Sequence, residues 1–150
     1  KVLSDKGSPF LKSIIINKGN KHKINLGMVA MDGAYLVGKV VEVNYLSSRI
    51  LLLSDLNSKI PVIVEPNEVF SILSGTGKDY GIIQYSKKYE DIKNESIIYT
   101  SGAGSLFKAG IPIGRMDINN SSDEKKVEFF SDFSQLKFVK VVSFKKGENK

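Results

Sequence analysis

An alternating pattern of side chains runs through the stretch Tyr35-Leu36-Val37-Gly38-Lys39-Val40-Val41-Glu42-Val43-Asn44-Tyr45. Every second residue from Tyr35 onward is apolar except Lys39, which is the period of a β-strand with one buried face. The sequence therefore predicts a strand whose buried face carries Tyr35, Val37, Val41, Val43 and Tyr45. Turn-forming residues follow at 44–49, and the short apolar run Ile50-Leu51-Leu52-Leu53 predicts a further strand.

Short strands of this kind continue along the chain in both directions. Glycine and asparagine turns separate them at the spacing that is typical of β-barrels and β-sandwiches. The further segments predicted as strands are 14–16, 60–64, 69–73, 80–85, 97–100, 111–118, 126–130 and 137–144. Residues 132–136 are predicted as a single helical turn between the last two strands. The sequence therefore predicts an all-β chain.

The segment Glu65-Pro66-Asn67-Glu68 is the best candidate for a domain boundary, because it is polar, contains proline and lies midway through the strands. It divides the chain into residues 1–64 and residues 65–150. Each part has about six short strands, a number that can close into a small barrel and remove exposed strand edges. Cores of this size are marginal alone, so we expect two six-stranded β-barrels packed together. The boundary leaves open whether the last strands pair with strands of the first barrel.

Composition excludes several kinds of site. The 150 residues include no cysteine and a single histidine, His22, which excludes a disulfide, a thiolate zinc site and a site of two histidines within one chain. The carboxylates are spread along the chain, so we predict neither a metal site nor a cofactor. No apolar run is long enough to cross a bilayer. The chain begins at Lys1 rather than Met, so we expect a fragment of a longer protein.

The net charge of +6 comes from lysine, with 20 Lys against two Arg. Arginine is the residue that recognises phosphates and bases in a bidentate manner, so we attribute the charge to general composition bias and predict no nucleic-acid partner. An oligonucleotide-binding barrel stays open as an alternative. Its binding face would consist of aromatic residues and lysines near the end of the chain, namely Phe138, Lys140, Phe144, Lys145 and Lys146.

A serine hydrolase is the alternative from a different class. Chymotrypsin-like proteases also consist of two six-stranded barrels, and His22, Asp55 and Ser101 follow their order of catalytic residues. However, Tyr99-Thr100 and Gly102-Ala103 flank Ser101 where the proteases have Gly-Asp and Gly-Gly. His22 lies in a turn rich in lysine, which favours a solvated imidazole. We therefore expect that His22 and Ser101 do not approach each other.

Several fragments together resemble the extracytoplasmic part of proteins of the MreC family, which are bacterial rod shape-determining proteins. In chain order they are residues 8–12 with 14–19, Gly27-Met28-Val29, 36–40, 51–62, 73–77 and 100–114. The last fragment is the most specific, and it includes Thr100-Ser101-Gly102-Ala103-Gly104. The chain departs from the family at Lys39, where arginine is usual, at Asn94-Glu95-Ser96, where a Gly-Asp turn is typical, and at Lys108, where proline is usual.

The resemblance implies a pair of chymotrypsin-like β-barrels without a catalytic triad. Its motif residues are then structural turns and not catalytic groups: Ser54, Asp55, Thr100, Ser101, Gly102, Gly104, Gly110, Ile111, Pro112 and Gly114. Glycines in such turns allow a positive φ, and Ser54-Asp55 can hold a turn by hydrogen bonds from side chain to backbone.

The resemblance also implies a function. It is that of a non-catalytic scaffold of the cell-shape and elongation machinery, which helps to position peptidoglycan-synthesis enzymes outside the inner membrane. The implied partners are further copies of the chain, penicillin-binding transpeptidases through the barrels, and MreB and MreD through a membrane part. The implied location is the periplasmic face of the inner membrane, with an anchoring N-terminal helix ahead of this fragment.

Overall fold

The computed structural model describes residues 1–3, 12–84, 92–102, 108–118 and 125–143. Within these ranges the chain forms β-strands and two single turns of 3-10 helix, Asn20–His22 and Phe133–Gln135, which confirms the all-β prediction. The strands are β1 (Val2–Leu3), β2 (Ser13–Ile16), β3 (Val29–Asp32), β4 (Tyr35–Val43), β5 (Ser48–Leu52), β6 (Lys59–Glu65), β7 (Val69–Gly75), β8 (Tyr80–Gln84), β9 (Ile97–Thr100), β10 (Pro112–Asp117), β11 (Lys126–Phe129) and β12 (Lys140–Val142). No helix in the described ranges has the length and apolarity needed to cross a membrane. The motif residues 8–11 and the aromatic–lysine residues 144–146 lie outside the described ranges.

The strands form two antiparallel sheets. Six of them close into a barrel in the order β10-β11-β8-β7-β6-β9, which we call the closed barrel. The other six, in the order β1-β2-β5-β4-β3-β12, form what we call the N-terminal sheet. The outer strands of this sheet come from opposite ends of the chain. The backbone N–H of Val2 in β1 donates to the carbonyl of Lys137, just ahead of β12, at 3.0 Å, so a backbone hydrogen bond also links the two edges of this sheet.

The two sheets divide earlier in the chain than the predicted boundary after residue 64. β6 pairs with β7 and β9, so residues 59–64 belong to the closed barrel and not to the first unit. The polar segment 65–68 is the loop of the β6–β7 hairpin, in which Val64 lies opposite Val69. Proline and polar residues mark hairpin loops as well as linkers, which explains the difference. β12 pairs with β3, so the last described strand returns to the N-terminal sheet.

The strand β4 buries different side chains from those that its alternation predicts. Val37 is buried as predicted, but Val40 is buried as well, whereas Tyr35 is 38% and Tyr45 is 64% exposed. The register of β4 shifts once opposite β3 and once opposite β5. A β-bulge inserts an extra residue and changes the face on which the following residues lie, so a strict period of two fails in this strand.

One of the two hydrophobic clusters of the described residues joins the two sheets. The buried side chains of the closed barrel cluster with Val29, Leu36 and Leu53, which come from the N-terminal sheet and the turn after it. The neighbouring residues Ala30 and Val37 belong to a second cluster, which is the core of the N-terminal sheet. β3 and β4 are therefore buried on both faces, and the two units pack against each other as expected.

The predicted helical turn at 132–136 is present as the 3-10 turn Phe133–Gln135. The carboxylate of Asp132 caps it by accepting hydrogen bonds from the hydroxyl of Ser134 at 2.6 Å and from its backbone N–H at 3.0 Å. These two donors, the hydroxyl first, lower the pKa of Asp132 below its ordinary value. The Phe133 ring stacks on Phe129 with 4.7 Å between centroids and touches both cores. The turn thereby fixes the path of the chain from the closed barrel back to the N-terminal sheet.

Candidate functional site

The turn at Ser54-Asp55 is a joint between the two sheets. Asp55 is fully buried, and its carboxylate accepts 2.8 Å hydrogen bonds from the backbone N–H groups of Lys12, ahead of β2, and Asn57. The carbonyl of Ser54 accepts from the N–H of Gly77, just after β7, at 2.7 Å. The pair therefore holds its own turn and also connects the N-terminal sheet to the closed barrel.

Gly75 at the end of β7 lies directly against this joint. A Cβ atom at position 75 would lie 1.9 Å from the carbonyl oxygen of Asp55, well inside van der Waals contact. The N–H of Gly75 also donates to the carbonyl of Ser58 at 2.9 Å. Only glycine permits two backbones to approach this closely, so the glycine of this motif has a structural role.

Thr100 holds together the motif at residues 100–114. Its buried hydroxyl donates to the carbonyl of Lys108 and accepts from the N–H of Ile111 at 3.0 Å. Its backbone N–H donates to the carbonyl of Ile111, and its carbonyl accepts from the N–H of Gly110, both at 2.9 Å. Thr100 thus fixes both ends of the connection between β9 and β10.

Ser101, Gly102 and Gly110 also contribute to the connection between β9 and β10. The backbone N–H of Ser101 donates to the carbonyl of Pro61 in β6 at 3.4 Å. Gly102 and Gly110 have φ angles of 77° and 86°, in the left-handed region that favours glycine. Gly104 lies outside the described residues. The described part of this motif is therefore held by the Thr100 hydroxyl and by backbone conformation.

Pro112 and Gly114 lie in β10. Pro112 begins the strand, and a Cβ atom at Gly114 would lie 2.2 Å from the carbonyl oxygen of Glu128 in β11. Gly114 therefore allows β10 and β11 to approach closely within the barrel.

The three residues of the hydrolase alternative have separate structural roles. Nδ1 of His22 accepts a hydrogen bond from the N–H of Gly19 at 3.1 Å, whereas a catalytic histidine donates from this atom to its aspartate. Both carboxylate oxygens of Asp55 accept from backbone N–H groups. His22 lies on a turn of the N-terminal sheet region, and Ser101 lies beside Pro61 in the closed barrel. The described ranges also contain no group of three or more His, Asp or Glu residues that could hold a metal ion.

The outer surface of the closed barrel carries a row of apolar side chains. Ile63 on β6 lies opposite both Phe70 on β7 and Tyr99 on β9, and Tyr99 lies opposite Pro112 on β10. Phe70 is 64% exposed, and the other three are partly exposed. Directly opposed residues of antiparallel strands have their side chains on the same face, so the row crosses four strands.

Further apolar side chains flank this row. Pro61 lies opposite Ile72, two residues from Ile63 along β6, and Ile97 lies two residues from Tyr99 along β9. All three are partly exposed. We call the whole surface the apolar face; it consists of Pro61, Ile63, Phe70, Ile72, Ile97, Tyr99 and Pro112.

The surface of β10 and β11 is charged instead. Arg115 pairs with Glu128 at 3.4 Å, and the Lys126 amino group lies 4.7 Å from the centre of the Tyr80 ring. Arg115 lies directly opposite Ile97 on β9, so this charged pair borders the apolar face. Contiguous apolar areas on a protein surface are common at interaction surfaces.

Analysis of the sequence missed the apolar face. The signal is the run Ile60-Pro61-Val62-Ile63-Val64, which has no polar alternation. Ile60, Val62 and Val64 are buried, and the residues between them face outward. A continuous apolar run is also the pattern of a strand covered on both sides, so only the closure of the barrel shows that Pro61 and Ile63 are exposed.

A cleft of about 460 Å³ lies at one end of the apolar face, beside the β6–β7 loop. Its lining residues are Ile63, Glu65, Pro66, Glu68, Tyr99 and Gly110. Oε1 of Glu65 is buried and has no hydrogen-bond partner within the described part of the chain. The site therefore combines an apolar surface with an acidic end.

Known proteins with a similar sequence share one family. The chain matches the family described as rod shape-determining protein MreC, barrel core, over residues 2–143. It is 32% identical over 142 residues to the cell shape-determining protein MreC of Cereibacter sphaeroides. That alignment covers 94% of this chain and 47% of the relative. The chain spans about half the length of such curated relatives.

Solved structures show the same fold. The crystal structure of MreC from Pseudomonas aeruginosa matches with a TM-score of 0.84 at 29% identity, covering 95% of this chain and 96% of that one. The major periplasmic domain of the cell shape-determining filament MreC matches with a TM-score of 0.72 at 23% identity, covering 87% and 85% of the two chains. A complex between penicillin-binding protein PBP2 and MreC from Helicobacter pylori matches with a TM-score of 0.62 at 16% identity, covering 81% and 78%. Since the family match extends through both sheets, from β1 to β12, this chain belongs to the MreC family of rod shape-determining proteins.

Proposed function

We propose that this chain is the barrel part of a non-enzymatic scaffold of the cell-shape and elongation machinery, which helps to position peptidoglycan-synthesis enzymes outside the inner membrane. The observation that carries the proposal is the apolar face, whose central row crosses four strands of the closed barrel. The charged pairs on β10 and β11 show that the same barrel is polar elsewhere. This contrast favours a surface that another protein covers.

The partner that we propose for the apolar face is a penicillin-binding transpeptidase. The Helicobacter pylori relative forms a complex with PBP2, which supports this choice. The face offers two aromatic side chains, Phe70 and Tyr99, of the kind that often supplies most of the binding energy at an interface. A closed barrel offers no free strand edge, so the partner binds side chains and does not add a strand.

The remaining parts of the assembly are proposed from the family. Self-association is supported by a relative described as a filament, and a periplasmic location by the same relative's periplasmic domain. Contacts with MreB and MreD, and the anchoring N-terminal helix, are proposed for the longer protein. The curated relatives are about twice as long as the matched region, which leaves room for these parts.

The proposal includes the absence of catalysis by this chain. The hydrogen bonds of His22 and Asp55 with backbone groups support it. A fluorophosphonate probe is expected to leave Ser101 unlabelled, because backbone groups hold His22 and Asp55, the two residues that would have to activate it. Labelling that disappears in Ser101→Ala but persists in Ser96→Ala would favour the hydrolase alternative.

The docking proposal is tested by measuring the affinity of this chain for the penicillin-binding transpeptidase of the same organism. Phe70→Ala is expected to weaken binding by about 30-fold, the loss typical of a central aromatic residue. The matched control is Tyr45→Ala, because Tyr45 and Phe70 are both 64% exposed but Tyr45 lies beside the N-terminal sheet. Unchanged binding by Phe70→Ala, or an equal loss in both variants, would show that the apolar face is not the docking surface.

A further inference from the structure

Glu65 ends β6 at the rim of the apolar face, and its oxygen Oε1 is buried without a hydrogen bond from the described residues. A buried carboxylate oxygen loses its hydration, and the loss is recovered only if a donor replaces the water. Buried polar atoms in proteins nearly always have such a partner. Glu65 lines a surface cleft and its side chain is only partly buried, so its carboxylate can accept from a donor outside the described residues.

The cleft itself has the character of a cation site. Its other lining residues are Ile63, Pro66, Glu68, Tyr99 and Gly110. They add a second carboxylate, and the lining includes no lysine or arginine from the described ranges, although the whole chain has a net charge of +6. Two carboxylates in a cleft with an apolar wall attract a positive group.

We propose that the protein covering the apolar face places a lysine or arginine side chain in this cleft, where it pairs with Glu65. The inference rests on the proposed docking function and adds the charge that the partner must carry. Ile63 and Tyr99 belong to both the apolar face and the cleft, so a partner that covers the face also covers Glu65. Exclusion of water by the apolar contacts strengthens the attraction between the two charges.

A metal ion fits this cleft less well than a side chain does. Calcium takes about six to eight oxygen ligands, and the cleft supplies two carboxylates. The described residues form no cluster of three acidic or histidine side chains. A lysine or arginine needs only one or two acceptors and brings an apolar stem that can lie along Ile63 and Tyr99.

The test uses this chain and the full-length penicillin-binding transpeptidase of the same organism, with affinity measured over a range of salt concentrations. Glu65→Gln keeps the size of the side chain and removes its charge. It is expected to weaken binding by about 30-fold and to make the affinity less dependent on salt. The matched control is Glu128→Gln, which removes an equal charge from the exposed pair on β10 and β11 and is expected to change affinity by less than about threefold.

Thermal unfolding of each variant verifies that it is folded. Glu65→Gln is expected to unfold at a temperature no lower than that of the unchanged chain, because it removes the charge of a partly buried carboxylate whose oxygen Oε1 has no donor among the described residues. A binding loss with an unchanged melting temperature is therefore a loss of the contact itself.

Phe70→Ala in the same assay separates this inference from the proposed function. Weaker binding by Phe70→Ala and by Glu65→Gln, but not by Glu128→Gln, supports both. If Phe70→Ala weakens binding and Glu65→Gln does not, the pairing is wrong and the docking function stands. If Glu65→Gln and Glu128→Gln weaken binding equally, the attraction is a general charge effect and the pairing is again wrong. If Phe70→Ala has no effect, the docking function is wrong and the pairing with it.

Discussion

The carboxylate of Asp55 accepts a 2.8 Å hydrogen bond from the backbone N–H of Lys12, a residue 43 positions earlier in the chain. Asp55 is completely buried, and its second oxygen accepts from Asn57. A buried carboxylate is tolerated here because each oxygen receives a charge-assisted hydrogen bond. One side chain thus fixes the entry into β2 relative to the turn that joins the two sheets.

Asp55→Ala is expected to lower the free energy of unfolding by about 3 kcal/mol, because it leaves two backbone N–H groups without their acceptor. Urea unfolding followed by circular dichroism measures this change. The control is Asp79→Ala, an exposed aspartate close in sequence to the same joint, for which we expect a change within about 0.5 kcal/mol. Equal stability of the two variants would show that the hydrogen bonds of Asp55 contribute little.

Gly75→Ala is expected to lower the free energy of unfolding by roughly 3 kcal/mol, since the new Cβ atom would overlap the carbonyl of Asp55 and force two backbones apart. The matched control is Gly27→Ala. Gly27 has a φ of 86° but no atom within 4 Å of an added Cβ, so only backbone strain of about 1 kcal/mol is expected. A smaller loss for Gly75→Ala than for Gly27→Ala would contradict the close approach at the joint.

Ser134→Ala is expected to raise the pKa of Asp132 toward its ordinary value, because the Ser134 hydroxyl is the first of the two donors that lower it. The folded pKa lies below the unfolded one, so the stabilisation is present above the unfolded pKa and is lost as the pH falls through the folded pKa. Carbon-13 NMR titration of the carboxyl group measures the shift. Ser131→Ala is the control, because the Ser131 hydroxyl has no partner within the described residues. An unchanged pKa in Ser134→Ala would refute the capping contact.

The chain is expected to be mostly monomeric at micromolar concentration. The closed barrel has no free edge, and the bond from Val2 to Lys137 links the outer strands of the N-terminal sheet, so we expect contacts between copies to use side chains. A tethering segment outside this chain would supply the high effective concentration for association. Sedimentation velocity over roughly a hundredfold range of concentration tests this expectation. A dimer that persists at nanomolar concentration would place the main dimer contact in the two sheets themselves.

Features that depend on neighbouring residues could be predicted from the sequence. The bond from the N–H of Asn57 to Asp55 joins residues two positions apart and is a common way to hold a turn. The turn at Phe133–Gln135 follows from the local spacing of apolar residues and from Asp132 at its start. The strands β6, β7 and β9 follow from apolar runs between turn signals.

Features that depend on distant residues could not be predicted in this way. The bond between Lys12 and Asp55 and the pairing of β6 with β9 join segments far apart in the sequence. The strands β1 and β3 were missed, because two residues show no period and Val29–Asp32 has buried residues at consecutive positions. The exposure of Phe70 is set by which side of the barrel it lies on, and a period of two does not distinguish the inside of a barrel from the outside.

The return of β12 to β3 makes the closed barrel an insertion within the N-terminal sheet. All six barrel strands, from β6 to β11, precede β12 in the chain, so they leave the ribosome before the N-terminal sheet can be completed. The same topology sets the path of mechanical tension. A pull between the two ends of the chain acts first on the bond from Val2 to Lys137 and on the β3–β12 ladder. The six strands of the inserted barrel lie between these contacts in the chain, so we expect its apolar face to keep its shape while the N-terminal sheet bears the load.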